Sequence, residues 1–259
     1  MDLKVFTGDY QSTSVGSSHS SPSSPLLGIG GVYFYWGDSM TLNAALVMDY
    51  QNVHLTGHEV FGASGDMLHH NLIEPSRFAM QLATKRNSTQ PDSSTHITFG
   101  QVDVYRGLPD SEFDPLDNAR NLSQRESWEK HPKVRVIHRP LKYGFHRGDD
   151  GEKLRNHEGR LQPNGEKEEK GIDVLCALAM MRHANSGIYD VVILASVDTD
   201  LTPALDEASK LRKSKIEACK WFDAGVRRTK GSHKTERSIW TTSMGHTCFT
   251  RSLDQRNYT

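Results

Sequence analysis

Cysteine is scarce in this chain. Three occur in 259 residues, Cys176, Cys219 and Cys248, and no Cys-x-x-Cys pair is among them. An odd number of widely spaced cysteines argues against a disulfide framework and a zinc site. It fits a reducing compartment, so a cytoplasmic location is expected, with Cys176 packed in the core. No apolar run approaches the roughly 18 residues of a membrane span. The apolar stretch from Leu26 to Trp36 is short, rich in glycine and lacks a basic segment before it, which argues against a secretory signal. A surplus of charge is missing too: the formal net charge is −1. No Gly-x-Gly-x-x-Gly follows the first apolar run, which disfavours a dinucleotide fold, and no Ser-His-Asp or Cys-His arrangement stands out.

What is present divides unevenly. Nine of residues 1–39 are serine, clustered around residues 17–25. Such composition buries too little apolar surface to offset chain entropy, so a disordered N-terminal segment over 1–39 is expected, with a domain from 40 to 259. A start of translation at Met40 is the alternative. From residue 43 strands and helices alternate. Strands are expected over 44–49, 97–105, 133–139, 190–196 and 215–222. Helices are expected over 74–86, 115–130, 171–185 and 202–213. The glycines at 57, 62 and 65 read as a loop, and the polar, glycine-rich stretch 141–169 reads as a long loop. The alternation predicts an α/β fold, a three-layer α/β/α sandwich around a mostly parallel sheet of about five strands. Residues 212–237 hold nine Lys/Arg against three Asp/Glu. That C-terminal basic stretch reads as a solvated surface or as a phosphate-binding one.

Two apolar runs end in carboxylates. Val191 to Ala195 leads into Ser196-Val197-Asp198-Thr199-Asp200, and Ala44 to Met48 into Asp49-Tyr50-Gln51-Asn52. Ligands of open α/β sheets bind outside the carboxyl ends of the strands. Like charges gathered there raise one another's pKa, and the usual reason for gathering them is a hard cation with oxygen ligands, Mg²⁺ or Mn²⁺. Asp173 opens the third element, in the first turn of a helix where the macrodipole favours an anion. The candidate site is therefore Asp49, Asn52, Asp173, Asp198 and Asp200, with Ser196 beside them. Each alone has a plainer role: Asp49, Asn52 or Asp200 as a helix cap, Asp173 as a first-turn acid. Their joint placement favours a shared site. His54 and His58 have helical zinc spacing but no third ligand, so a loop or surface role is expected for them.

Three segments also carry a resemblance: Met48-Asp49-Tyr50-Gln51-Asn52-Val53, Glu169-Lys170-Gly171-Ile172-Asp173-Val174, and Leu194 through Pro203. Together they resemble the NYN domains, a branch of the PIN-like nuclease superfamily. Ile216 to Trp221 and Ser238-Ile239-Trp240 are similar to the closing segments of bacterial members. The resemblance covers 43 to about 250. It implies a metal-dependent ribonuclease in which Asp49, Asp173, Asp198 and Asp200 hold Mg²⁺ or Mn²⁺ and Asn52 assists. Val197 departs from the glycine common there, and a β-branched residue disfavours positive φ.

The chemistry expected of such a site is water attack on an RNA phosphodiester, activated by the metal, with no nucleophilic side chain. Lys170 is a candidate phosphate contact. Arg139, Lys142 and Arg147 are candidates for gripping the RNA backbone. The alternative is a catalytically weak RNA-binding or regulatory module on the same fold. A phosphohydrolase with a nucleophilic Asp ranks lower, because position 51 is Gln where a second Asp is needed. RNA is the expected partner, no membrane is, and a regulatory protein partner is left open.

Overall fold

Leu42–Asp49 runs as a strand whose last six residues are all buried. Its alternate side chains enter two different cores. Ala44, Leu46 and Met48 pack on one side of the sheet and Ala45 and Val47 on the other. A strand buried on both faces belongs in the middle of a parallel sheet covered by helices. The computed structural model describes residues 28–29, 32–33, 41–226, 229 and 232–258. The chain divides into two units, Met1–Met40 and Thr41–Thr259. In the first, strands β1 (Gly28–Ile29) and β2 (Val32–Tyr33) pair antiparallel. These two strands fall within the 1–39 segment expected to be disordered; the rest of that segment lies outside the described residues.

In the second unit the elements are β3 (Leu42–Asp49), α1 (Tyr50–Phe61), α2 (Pro75–Asn87), β4 (Ile97–Leu108), α3 (Pro115–Trp128), β5 (Val134–Pro140), β6 (Lys142–Phe145) and β7 (Pro163–Glu168). They continue as α4 (Ile172–Ser186), β8 (Val191–Ala195), α5 (Thr202–Lys210), β9 (Lys215–Trp221), β10 (Trp240–Met244) and α6 (His246–Ser252). Six strands form one sheet in the order β10-β9-β8-β3-β4-β5, every pairing parallel. Val53 of α1, Phe78 and Leu82 of α2, Trp128 of α3 and Phe249 of α6 cover one face. Ile172, Cys176 and Met180 of α4 and Leu205 of α5 cover the other. The three-layer α/β/α architecture read from the alternation is therefore present, with six strands in the sheet instead of five. The three cysteines are free, and Cys176 is buried as expected. Among the described residues no helix is long and apolar enough to cross a membrane.

Three local readings need correction. Residues 50–61 are a helix and not a loop. Gly57 lies mid-helix because a Cβ there would stand 2.8 Å from Trp221 Nε1 and 3.0 Å from Phe249. It is a close-approach glycine and not a breaker. His54 and His58 accordingly sit on α1: His54 Nε2 meets the Leu68 carbonyl at 2.9 Å and His58 Nδ1 meets Asn71 Nδ2 at 2.9 Å, so both tie the following segment to the helix. Residues 141–169 form an antiparallel arm: β6 pairs with β7, and bridges join Arg147 to Lys153 and Arg155 to Leu161. The arm has no apolar alternation because it packs no core, so periodicity does not mark it. The sixth strand, β10, is short and largely polar, which hid it for the same reason.

One charged pair lies wholly inside. Arg86 on α2 donates from Nη2 to Glu217 Oε1 at 2.9 Å and from Nε to Oε2 at 3.1 Å, and both side chains are fully buried. Breaking such a pair leaves an uncompensated charge in the core, whereas replacing both partners by apolar residues does not. Glu217→Gln is expected to lower unfolding free energy by about 3–5 kcal/mol. The double variant Arg86→Met, Glu217→Met should recover most of it, as read by urea midpoints at constant slope.

Candidate functional site

Strand order reverses between β3 and β8. Chain order runs outward from β3 through β4 to β5 on one side and from β8 through β9 to β10 on the other. At such a switch point the flanking crossovers leave on opposite faces and open a crevice at the carboxyl ends of the strands. Asp49 is the last residue of β3, and Ser196 directly follows β8. The sequence thus delivers its acids to the one place in this topology where a cleft is built in.

A short chain of hydrogen bonds locks the two strand ends together. Asp49 caps α1, accepting the Asn52 N–H at 3.1 Å. Ser196 Oγ donates to Asp49 Oδ2 at 3.3 Å and accepts the Asp198 N–H at 3.1 Å. Asn52 Oδ1 accepts the Val197 N–H at 2.9 Å. Val197 is not among the described residues with positive φ. The valine therefore does not strain the turn, and the concern over the missing glycine falls away. His233, which periodicity and motif left unmarked, closes the turn from behind. Its Nε2 meets the Ser196 carbonyl at 3.0 Å and its Nδ1 meets Thr202 Oγ at 3.1 Å.

The cleft these bonds frame has a volume of about 350 Å³, and Asp49, Asn52, Glu169, Asp173 and Asp198 line it. Asp173 enters from the first turn of α4, whose N-cap Gly171 has φ +73°, a left-handed conformation that suits glycine. Among the described residues its carboxylate makes no hydrogen bond or ion pair. Glu169 is a site residue that the motif reading passed over. Its Oε1 accepts the Gly107 N–H at 2.6 Å, and burial, with the Asp49 charge adding, raises its pKa. Its place two residues before Gly171, on the near side of the motif, was the available signal.

The other expected residues lie elsewhere. Asp200 is exposed and does not line the cleft. Its N–H is capped by Asp198 Oδ1 at 3.0 Å, so the second acid of the Ser-x-Asp-x-Asp run is turned into the short helical turn 199–201. Ser196 positions Asp49 and Asp198 from underneath. Lys170 pairs on the surface with Glu168 at 2.6 Å and does not line the cleft. Arg139 lays its guanidinium over Gly171, where a Cβ would come within 3.3 Å of it. It supports the entry to α4.

Asp49 is only 7% exposed. Burial pushes its pKa up to about 6, with the charges of Asp198 and Asp173 adding to the rise and the Asn52 and Ser196 hydrogen bonds opposing it. A carboxylate held where its charge is unwelcome is a mark of a functional site. Carboxylate oxygens are also the donors a hard cation takes. Among the described residues, however, no three acidic, histidine or cysteine groups stand close enough to close a ligand set by themselves. The residue types and the desolvated Asp49 fit Mg²⁺ or Mn²⁺, an ion that keeps several waters when bound. A second recess of about 250 Å³, lined by Val60, Val197, Ala218, Trp221 and Thr241, lies on the far side of Ser196. It carries no carboxylate, so the chemistry is assigned to the acidic cleft.

No protein-family model and no curated protein matches the chain. Among solved structures it is similar to a protein of unknown function from Vibrio parahaemolyticus, at 16% identity over 78% of this chain and 93% of that one, with a TM-score of 0.40. A likeness at that level carries no argument. The fold class stands on the sheet order and its two helical layers.

The raised pKa of Asp49 has a signed consequence. Below its ordinary value of 3.8 the carboxyl is protonated folded or unfolded, so burial adds no penalty. As pH climbs from there through about 6, the folded chain must carry a desolvated charge and stability falls. Asp49→Asn keeps the cap acceptor and removes the charge. In metal-free buffer the variant is expected to be more stable than the parent by about 1–3 kcal/mol at pH 8, with the gap closing by pH 4. Thermal melts across that range check it.

Proposed function

We propose that this chain is a metal-dependent ribonuclease whose site is the acidic cleft at the β3/β8 switch point. The observation that carries the reading is the desolvated Asp49 facing Glu169, Asp173 and Asp198 across one open crevice. The choice of RNA as substrate comes from the resemblance of the three motifs to NYN domains. On this reading the ion would sit among Asp49, Asp173 and Asp198, reached in part through its own bound waters, with Glu169 in the place expected for Asp200. A bound Mg²⁺ or Mn²⁺ would supply Lewis acidity toward a phosphoryl oxygen and make a water more acidic. The chain's own residues fix the geometry. Ser196 and Asn52 tie the two strand ends into one rigid edge, so the Asp49 and Asp198 oxygens keep their spacing. Glu169, its pKa raised by burial, is suited to accept a proton from an attacking water.

One observation favours a second reading, a module that binds RNA without cutting it: no ready-made ligand set is present among the described residues. Asp173→Asn separates the two, because the Asp173 carboxylate makes no structural bond and its loss should leave folding intact. Cleavage of a mixed single-stranded RNA in Mn²⁺ is expected to fall by on the order of 100-fold or more, since even groups behind a metal's ligands are worth 10–100-fold. The parent should lose the same activity in EDTA. Parental cleavage by Asp173→Asn, or cleavage indifferent to chelation, would sink the nuclease reading; RNA binding with no cleavage by the parent would leave the binding module.

A further inference from the structure

Beside the acidic cleft lies a smaller pocket of about 170 Å³ that shares Gln51 and Glu169 with it and is lined further by Arg106, Gly107, Asn121 and Lys167. Arg106 occupies β4 opposite His138 of β5, near the carboxyl edge of the sheet. Its guanidinium lies over the Tyr50 ring at 4.5 Å and near the Trp128 ring at 5.4 Å. Its Nη1 donates to Gln124 Oε1 at 2.6 Å. No described carboxylate stands at ion-pair distance from it. A guanidinium has five donors and stays charged at any pH a protein survives, and buried charges are ordinarily paired. Here one donor is used, and the only described acid that balances the charge is Glu169, acting through space without a direct ion pair, while the group borders an open pocket. Lys167 adds a second cation. Its Nζ is held only by long contacts to Asp114 at 3.3 Å and Asp117 at 3.4 Å, and its side chain is 43% exposed, so it is easily turned toward a ligand. Glu169 is the one acid that lines the pocket, while Asp114 and Asp117 flank Lys167 outside it.

We propose that Arg106 and Lys167 form a phosphate subsite that holds the RNA phosphate neighbouring the one in the acidic cleft. The inference rests on the ribonuclease reading of that cleft and adds to it how the strand is held in register. A planar guanidinium fork matches a phosphate through two parallel hydrogen bonds. Its aromatic bed fixes the plane before the ligand arrives. Arg106 is thus a substrate-binding residue in the pocket adjoining the acidic cleft.

The test is a set of 12-nucleotide single-stranded RNAs, each with one phosphodiester replaced by an uncharged methylphosphonate. Affinity for the parent, Arg106→Gln and Lys167→Gln is read by fluorescence anisotropy in Ca²⁺, and cleavage of the unmodified strand in Mn²⁺. The parent is expected to lose about tenfold in affinity at one linkage, the scale of a charge-assisted hydrogen bond. Arg106→Gln should lose the same factor on the unmodified strand and be indifferent to that linkage. Its salt dependence, as a slope of log affinity on log salt, should shallow by about 0.7 for the one contact removed. Lys167→Gln, an exposed change that does not threaten folding, should show the same loss of sensitivity in part. If RNA is bound and cut but the variant and methylphosphonate effects simply add at every linkage, the subsite is overturned and the nuclease reading stands. If the parent neither binds nor cuts RNA, both fall together.

Discussion

Asp49 is where the architecture and the chemistry meet. It ends the central strand of a parallel sheet, so the fold buries it; it caps α1, so the fold needs its oxygen; and it faces Asp173 and Asp198, so the fold charges it against its neighbours. These demands conflict, and the conflict appears as a carboxyl whose pKa sits near 6. On the proposed reading a cation would resolve the conflict, because it would offset the charge without removing the oxygen from the cap. The Ser196 and Asn52 bonds across the β3/β8 edge keep the strained group from relaxing away.

The rest of the sheet is built to tolerate this edge. Charges that are buried away from the cleft are matched: Arg86 with Glu217, and Asp103 with His183 and Arg135, at 2.8 and 3.0 Å for the latter two. Arg106 is the exception, a cation near the cleft cushioned by aromatic rings in place of a carboxylate. Its position next to the acidic crevice is the basis of the phosphate subsite proposed there.

Much of this was legible in the sequence, for identifiable reasons. Five of the six sheet strands were expected from the sequence, the central β3 and β8 as apolar runs because they are buried on both faces. Asp49, Asp173 and Asp198 could be placed because the strand–helix alternation fixes which end of each element faces the cleft. What escaped did so for local reasons. Helix α1 was hidden by Gly57, whose purpose is the close approach of Trp221 and Phe249, a tertiary fact. The 141–169 arm and β10 carry little apolar signal. Asp200 and Asp198 look alike in sequence, and only the structure shows Asp198 lining the cleft while capping the N–H of the exposed Asp200. Glu169 was missed because its role depends on the Gly107 N–H arriving from another strand, 62 residues away in sequence.

The account turns on whether the acidic cleft takes a divalent ion through Asp49. The direct measurement is Mn²⁺ titration of the metal-free protein followed by electron paramagnetic resonance, with the Asp49→Asn protein alongside. Saturable binding by the parent, at one or two ions per chain, and its loss or strong weakening in the variant is the expected result. No binding by the parent, or identical binding by the two proteins, would contradict the claim that the buried carboxylate exists to hold a cation.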